Sequence, residues 1–307
     1  MSRWLCALVL AAPLAAAQAP PTTAPVAATV NGETIRQDQV DAVIRRMRVA
    51  DGPLSDSQVK RLRQEVVQDL IDDLLLRQHM RRHGPKVEPA ELDKHMAALA
   101  AGLRRQGKTL AEYCRENGRT DEQVRDSWAT LVQFQRYVDQ QATDEKLRKY
   151  HEANRALFDR ETVRVSQIVV RVGPNAPPTE RAAARQKLAA VRAEVVAGKL
   201  SFADAARKHS MCPSAPKGGD LGFVGLRDPA ADEAVVRAAF AQKAGEVSEP
   251  LDGEFGVHLV QATERKPGTP TAFEKVADLV RECYAEDVRQ GLVGLLRQQA
   301  TIQVTAP

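Results

Sequence analysis

Through the first half of the chain, apolar residues recur every three to four positions, the period of one face of an α-helix. Gln37 to Val49 is one such stretch. A longer one runs to about His83, with Val59, Leu62, Val66, Leu70 and Leu74 on one stripe and Ser55 or Ser57 as candidate cap. Gly84-Pro85 ends it. Further helices are predicted from Pro89 to about Gln106, from Thr109 to Gly118, from Thr120 to about Gln141 and from Thr143 to about Leu157; Thr120 with Gln123 forms a capping box. Trp128, Val124, Leu131 and Val132 share a stripe and are expected in the core. Ahead of these helices lies VAATVNGETI, Val26 to Ile35, two β-type runs around Asn31-Gly32, a dipeptide suited to the positive φ angles of a tight hairpin.

The pattern changes at Glu161. TVRVSQIVVRV, Thr162 to Val172, is rich in β-branched residues and predicts a central strand. Helices follow over Thr179 to Ala197, from a Ser201 cap to about His209, and over Asp232 to Ala241. Strands are predicted at Val247 to Leu251 and Val257 to Thr263, with a glycine-rich turn around Gly218-Gly219. Ala272 to Gln299 is a long amphipathic helix, and Thr301 to Val304 a closing strand. The fold class is α+β: a helical module over residues 26–160, an α+β module over residues 161–268, then the long helix and closing strand.

Composition adds class. The chain has 307 residues, 43% hydrophobic, 27% charged and only 4% aromatic, which fits a soluble, helix-rich protein of about two domains. Its 44 basic and 40 acidic residues leave a net charge of +4, with no dense basic tract, so nucleic acid is not an expected partner. The first 17 residues have the order of an export signal: Arg3, an apolar run from Trp4 to Leu14, then Ala15-Ala16-Ala17. That run is short for a membrane span. Gln18 to Pro25 is a disordered lead-in by composition. Cys114, Cys212 and Cys283 follow the signal; Cys114 and Cys283 either pair or are buried small hydrophobes, and Cys212 is the candidate free thiol. His79 and His83 have i, i+4 spacing but stand among arginines, so a basic solvated face outweighs a metal site, and no cofactor is expected.

The chemistry concentrates between Arg207 and Val260. HS-x-CPS (His209 to Ser214), KGGDLG (Lys217 to Gly222), AAF (Ala238 to Phe240), GEVSEP (Gly245 to Pro250) and FG-x-H (Phe255 to His258) occur together in this order. This set resembles the parvulin family of peptidyl-prolyl isomerases. The VNGETI opening and the LRKYHEANRALFD lead resemble the SurA/PrsA-type exported foldases. The resemblance implies a C-terminal helix folded back on the N-terminal ones, so that residues 26–160 with 269–307 are one domain and 161–268 is inserted in it. It also implies an exported isomerase that binds unfolded, proline-containing polypeptides and turns their X-Pro bonds. Its catalytic group would be Cys212 and His258, with Gln167 at the position of the family's first histidine. The implied substrate-binding residues are Leu221, Phe223, Val224, Ser210, Val235, Phe240 and Phe255.

The departures from the family pattern are specific. The strand pattern HILV is here QIVV, Gln167 to Val170. Gly253 stands where the family often has threonine. Gly225 to Val235 supplies Leu226, Ala231 and Val235 in place of the Met and Phe of the proline slot. These changes predict weak isomerase activity and leave open a second reading, a non-catalytic holdase with a degenerate parvulin unit.

Overall fold

The computed structural model describes residues 24–47, 56–173, 176–253 and 255–305; the export signal, the lead-in as far as Thr23 and the Ser55 cap lie outside these. In chain order the elements are strands β1 (Val26–Val30) and β2 (Glu33–Arg36), then helices α1 (Gln37–Met47), α2 (Asp56–His83), α3 (Pro89–Arg105), α4 (Leu110–Glu116), α5 (Asp121–Gln141), α6 (Asp144–Ala153) and α7 (Arg155–Phe158). Next come β3 (Thr162–Arg171), α8 (Pro178–Val196), α9 (Phe202–His209), β4 (Asp220–Gly225), α10 (Glu233–Ala241), β5 (Leu251–Gly253), β6 (Gly256–Lys266), α11 (Phe273–Gln299) and β7 (Ile302–Val304). The chain forms two compact units: the described residues up to Gln141 together with those from Ala285 onward, and Ala142–Tyr284.

In the first unit the Asn31-Gly32 turn takes the positive φ values the dipeptide predicts, 50° and 88°. β7 then pairs with β1, so that β1 is the middle strand of the order β2-β1-β7. This small sheet lies on the apolar stripe of α2, where Val66, Ile71, Leu74 and Leu75 are buried with Val30, Ile35 and Val40. The later half of α11 returns to the same helix: Val293 packs with Leu76 and Met80, and Arg297 pairs with Asp72. Thr109 with Glu112 and Thr120 with Gln123 close capping boxes at the starts of α4 and α5. The predicted Trp128 stripe holds in part. Val124 is buried and Trp128 stacks on His95, but Leu131 is 57% exposed because that edge of α5 borders a cavity.

The second unit is a four-stranded antiparallel sheet of order β4-β3-β6-β5. β3 is central, as its β-branched run predicts. One face carries Ile168, Val170, Val257 and Leu259 against α8 and α9. The other carries Val163, Val165, Val260 and Ala262 against α10. Two assignments differ from the sequence reading. The glycine-rich turn continues directly into β4, whose pairing with β3 no apolar alternation announces. Val247 makes an isolated bridge to Gln261, so the strand of this segment begins at Leu251. The second unit also extends past residues 161–268 at both ends. Aromatic packing explains this: Tyr150, His151 and Phe158 of α6 and α7 meet Phe273 and Tyr284 of α11. Cys114 and Cys283 are both buried thiols, as the small-hydrophobe reading has it.

Candidate functional site

Directly opposed residues of an antiparallel pair share a face of the sheet. Val169 opposes His258, Gln167 opposes Val260 and Leu251 opposes His258. Gln167, Val169, Leu251 and His258 therefore stand on the α10 face. The loop after α9 is fastened across this strand. Met211 N–H donates to the Val169 carbonyl at 2.8 Å, and Ser210 Oγ accepts from Val169 N at 3.1 Å and from Cys212 N at 3.3 Å. The fastening delivers Cys212 to Gln167. From the other side, Gln167 N–H donates to the Gly219 carbonyl at 2.9 Å. Gly219, at φ 81°, lies so close that a β-carbon there would run into the Gln167 carbonyl.

Gln167 bridges the two other candidate groups. Its amide nitrogen lies 3.1 Å from Cys212 Sγ, and its amide oxygen 3.1 Å from His258 Nδ1. Ser214 Oγ–H also donates to Cys212 Sγ, at 3.2 Å. His258 is fully buried, Gln167 nearly so, and Cys212 reaches solvent in part. Burial holds the His258 imidazole below its ordinary pKa of 6.5, against the opposing pull of Asp232 and Asp252, so it is neutral near pH 7. Asp232 completes the cluster. Its Oδ1 accepts from Ala234 N at 2.9 Å as the N-cap of α10, and its Oδ2 lies 3.8 Å from His258 Nε2. Sequence reasoning found neither Asp232 nor Ser214 as a site residue. Asp232 reads only as a helix start until the sheet register brings His258 to it.

The expected groove residues do not all gather here. Leu221 is half-buried and, like Leu226, Ala231 and Leu251, packs against the core of the same face. Val224 and Val235 are core residues instead: Val235 is fully buried among Val163, Val165 and Val260, so it supports the face from within and does not line it. Phe223 is also displaced. It follows strand alternation, opposes Arg164 and lies on the reverse face from Val224, with Lys266 Nζ 3.7 Å above its ring. Phe240 is partly buried under Arg265, whose guanidinium is spent on the Ala239 and Phe240 carbonyls. Phe255 is exposed at the β5–β6 hairpin tip. Ser210 uses its oxygen to hold the loop. Among the described residues, no group of three or more His, Cys, Asp and Glu is placed to hold a metal. The first unit contains a separate cavity of about 590 Å³, with Leu76, Leu131 and Phe134 beside Asp73, Arg77 and Arg289.

Two family models match. Residues 168–264 match the PPIC-type PPIase domain, and residues 4–138 match the SurA-like N-terminal domain. The chain is a SurA/PrsA-like protein of the parvulin type. The parvulin match starts one residue after Gln167, the position at which the chain departs from the family pattern. The SurA-like match takes in the whole apolar run, Trp4 to Leu14, that reads as an export signal. The chain is 39% identical over 119 residues to a chaperone SurA of Cupriavidus metallidurans, a match of 38% of this chain and 22% of that protein. It is 26% identical over 302 residues to a putative peptidyl-prolyl cis-trans isomerase SurA of Haemophilus influenzae, 91% of this chain and 89% of that one. It is 24% identical over 286 residues to the foldase protein PrsA of Clostridium botulinum, 86% and 82%. The parvulin-type domain therefore stands within a SurA/PrsA-like chain, and among the described residues no helix is long and apolar enough to cross a membrane.

Proposed function

We propose that this protein is an extracytoplasmic prolyl isomerase and chaperone, acting on unfolded, proline-containing polypeptides. The observation that carries the isomerase half is the Cys212–Gln167–His258 chain on the α10 face of the sheet, inside the parvulin-type match. Rotation about X-Pro meets a barrier of about 18–20 kcal/mol from amide resonance. A catalyst needs to bind the twisted amide better than either planar form, with no covalent step. Cys212, partly open and with Gln167 and Ser214 at hydrogen-bond distance from its sulfur, is the polar group presented to the carbonyl. Leu221, Leu226 and Leu251, partly buried on the same face, supply the apolar surface for the proline ring. The helical unit holds extended client segments, and its mixed apolar and charged cavity suits a peptide that brings both kinds of group.

A second reading, a holdase without turnover, is favoured by one observation. Val235 and Phe223, the positions expected to wall the proline slot, are a core residue and a reverse-face residue. Exchange spectroscopy on an Ala-Pro-Phe peptide with the mature protein separates the two. The isomerase predicts faster cis–trans exchange that falls about tenfold in Cys212→Ala, a loss of about 1.4 kcal/mol of transition-state binding. Suppression of client aggregation should be unchanged in that variant. Exchange at the uncatalysed rate in a folded protein would leave the holdase.

A further inference from the structure

His258 Nε2 is completely buried and has no hydrogen-bond partner among the described residues. The group nearest to meeting it is the Asp232 carboxylate, Oδ2 at 3.8 Å, whose side chain is itself only 8% exposed. The approach exists because residue 253 has no side chain. A β-carbon at Gly253 would stand 2.5 Å from Asp232 Oδ2 and 2.7 Å from His258 Nε2, inside the contact distance of both. Gly253 has no positive φ that would otherwise demand glycine. Its effect is to keep a gap on the imidazole edge, and the carboxylate from the α10 cap fills it.

We propose that Asp232 is the positioning residue of His258 and that it fixes the tautomer of the ring, an arrangement open to this chain because position 253 is glycine. The proposal builds on the isomerase reading of this same site. A carboxylate presses for a hydrogen on the nitrogen it faces. A neutral imidazole carries one hydrogen, so Nε2–H leaves Nδ1 as an acceptor. Gln167 then turns its NH₂ toward Nδ1 and its carbonyl oxygen toward Cys212. The two ends of the amide are each 3.1 Å from their partners, so a half-turn reverses both bonds and moves no other group. The Cys212 S–H donates to Gln167, and Ser214 continues to donate to the sulfur. Each contact along His258–Gln167–Cys212 then pairs a donor with an acceptor, and the Nε2 hydrogen faces the Asp232 carboxylate across 3.8 Å. The charged groups around the ring are Asp232 from the α10 cap and Asp252 from β5; Gln167 of β3 is neutral. The carboxylate thereby sets, through a ring and an amide, that the thiol turns its hydrogen to Gln167 and leaves the sulfur to face a bound peptide.

The direct test is the imidazole ¹⁵N spectrum of His258 at pH 7.5. Wild type should show Nε2 protonated and Nδ1 bare. Asp232→Asn still caps α10 but offers Nε2 an NH₂ donor, and it should switch the proton to Nδ1. Gly253→Ala, which crowds the carboxylate off the ring edge, should move the spectrum toward the same state. Cis–trans exchange should fall several-fold in both variants, with unchanged melting temperature in Asp232→Asn. A wild-type ring protonated at Nδ1, or a ring unaffected by Asp232→Asn, overturns the proposal. The spectrum needs no turnover: wild type lacking isomerase activity but showing the switch would refute the isomerase reading and uphold this one.

Discussion

Burial separates the residues at the two ends of the Gln167 bridge. Cys212 touches solvent, whereas His258 does not, and that difference has a pH consequence. Folded His258 is held below 6.5 by desolvation, while the unfolded chain takes up its proton near 6.5. As pH falls through 6.5 the unfolded state gains a proton that the folded state refuses, so stability is lost until the folded form titrates too. The urea midpoint should therefore decline from pH 7 to 5, and His258→Gln should remove part of that decline. Equal slopes in both proteins would refute it. Cys212 and His258 are legible in the sequence because their neighbours form motifs. Val224 and Val235 lie on the α10 face but are packed into its core, whereas Phe223 is turned away from that face. Phe223 and Val224 are adjacent, so alternation must send them to opposite faces, and a one-dimensional motif does not say which face holds the site.

At the scale of elements, local chemistry is read well and edges poorly. Capping at Thr109, Thr120, Thr143 and Ser201, the Asn31-Gly32 hairpin and the central strand β3 all follow from residues a few positions apart. β4 does not, because it is an edge strand built through Gly222 and Gly225, and its identity comes from its partner. The sequence splits the two units near Glu161, and packing splits them at Gln141, because aromatic contacts far apart in sequence decide where α6 and α7 belong. β3 supports the site through Ile168, fully buried under α8 and α9. Ile168→Ala should cost about 2–5 kcal/mol of stability in chemical denaturation. The loss should appear in the unfolding of the second unit; a loss below 0.5 kcal/mol would contradict the core described here.

At the scale of the whole molecule, α11 belongs to both units, its residues to Tyr284 with the second and those from Ala285 with the first. Cutting the chain after Tyr284 removes Val293, Arg297 and β7 from the first unit while leaving the sheet of the second complete. Such a protein should keep the near-ultraviolet signature and prolyl exchange of the second unit and lose cooperative unfolding of the first. Retention of both transitions would argue against the assignment.

The pairing of β1 with β7 also has a timetable. Asn31 exchanges hydrogen bonds with Thr301, 270 positions along the chain. A ribosome adds roughly 5–20 residues each second, so the opening hairpin waits on the order of tens of seconds for its third strand. All four strands of the inserted sheet are made within that interval. The inserted unit can settle first, and the split unit pays the closure entropy of its longest loop last. The small sheet at the start of the sequence is thus among the final structures to form, and until then β1 offers an open edge to any extended chain nearby.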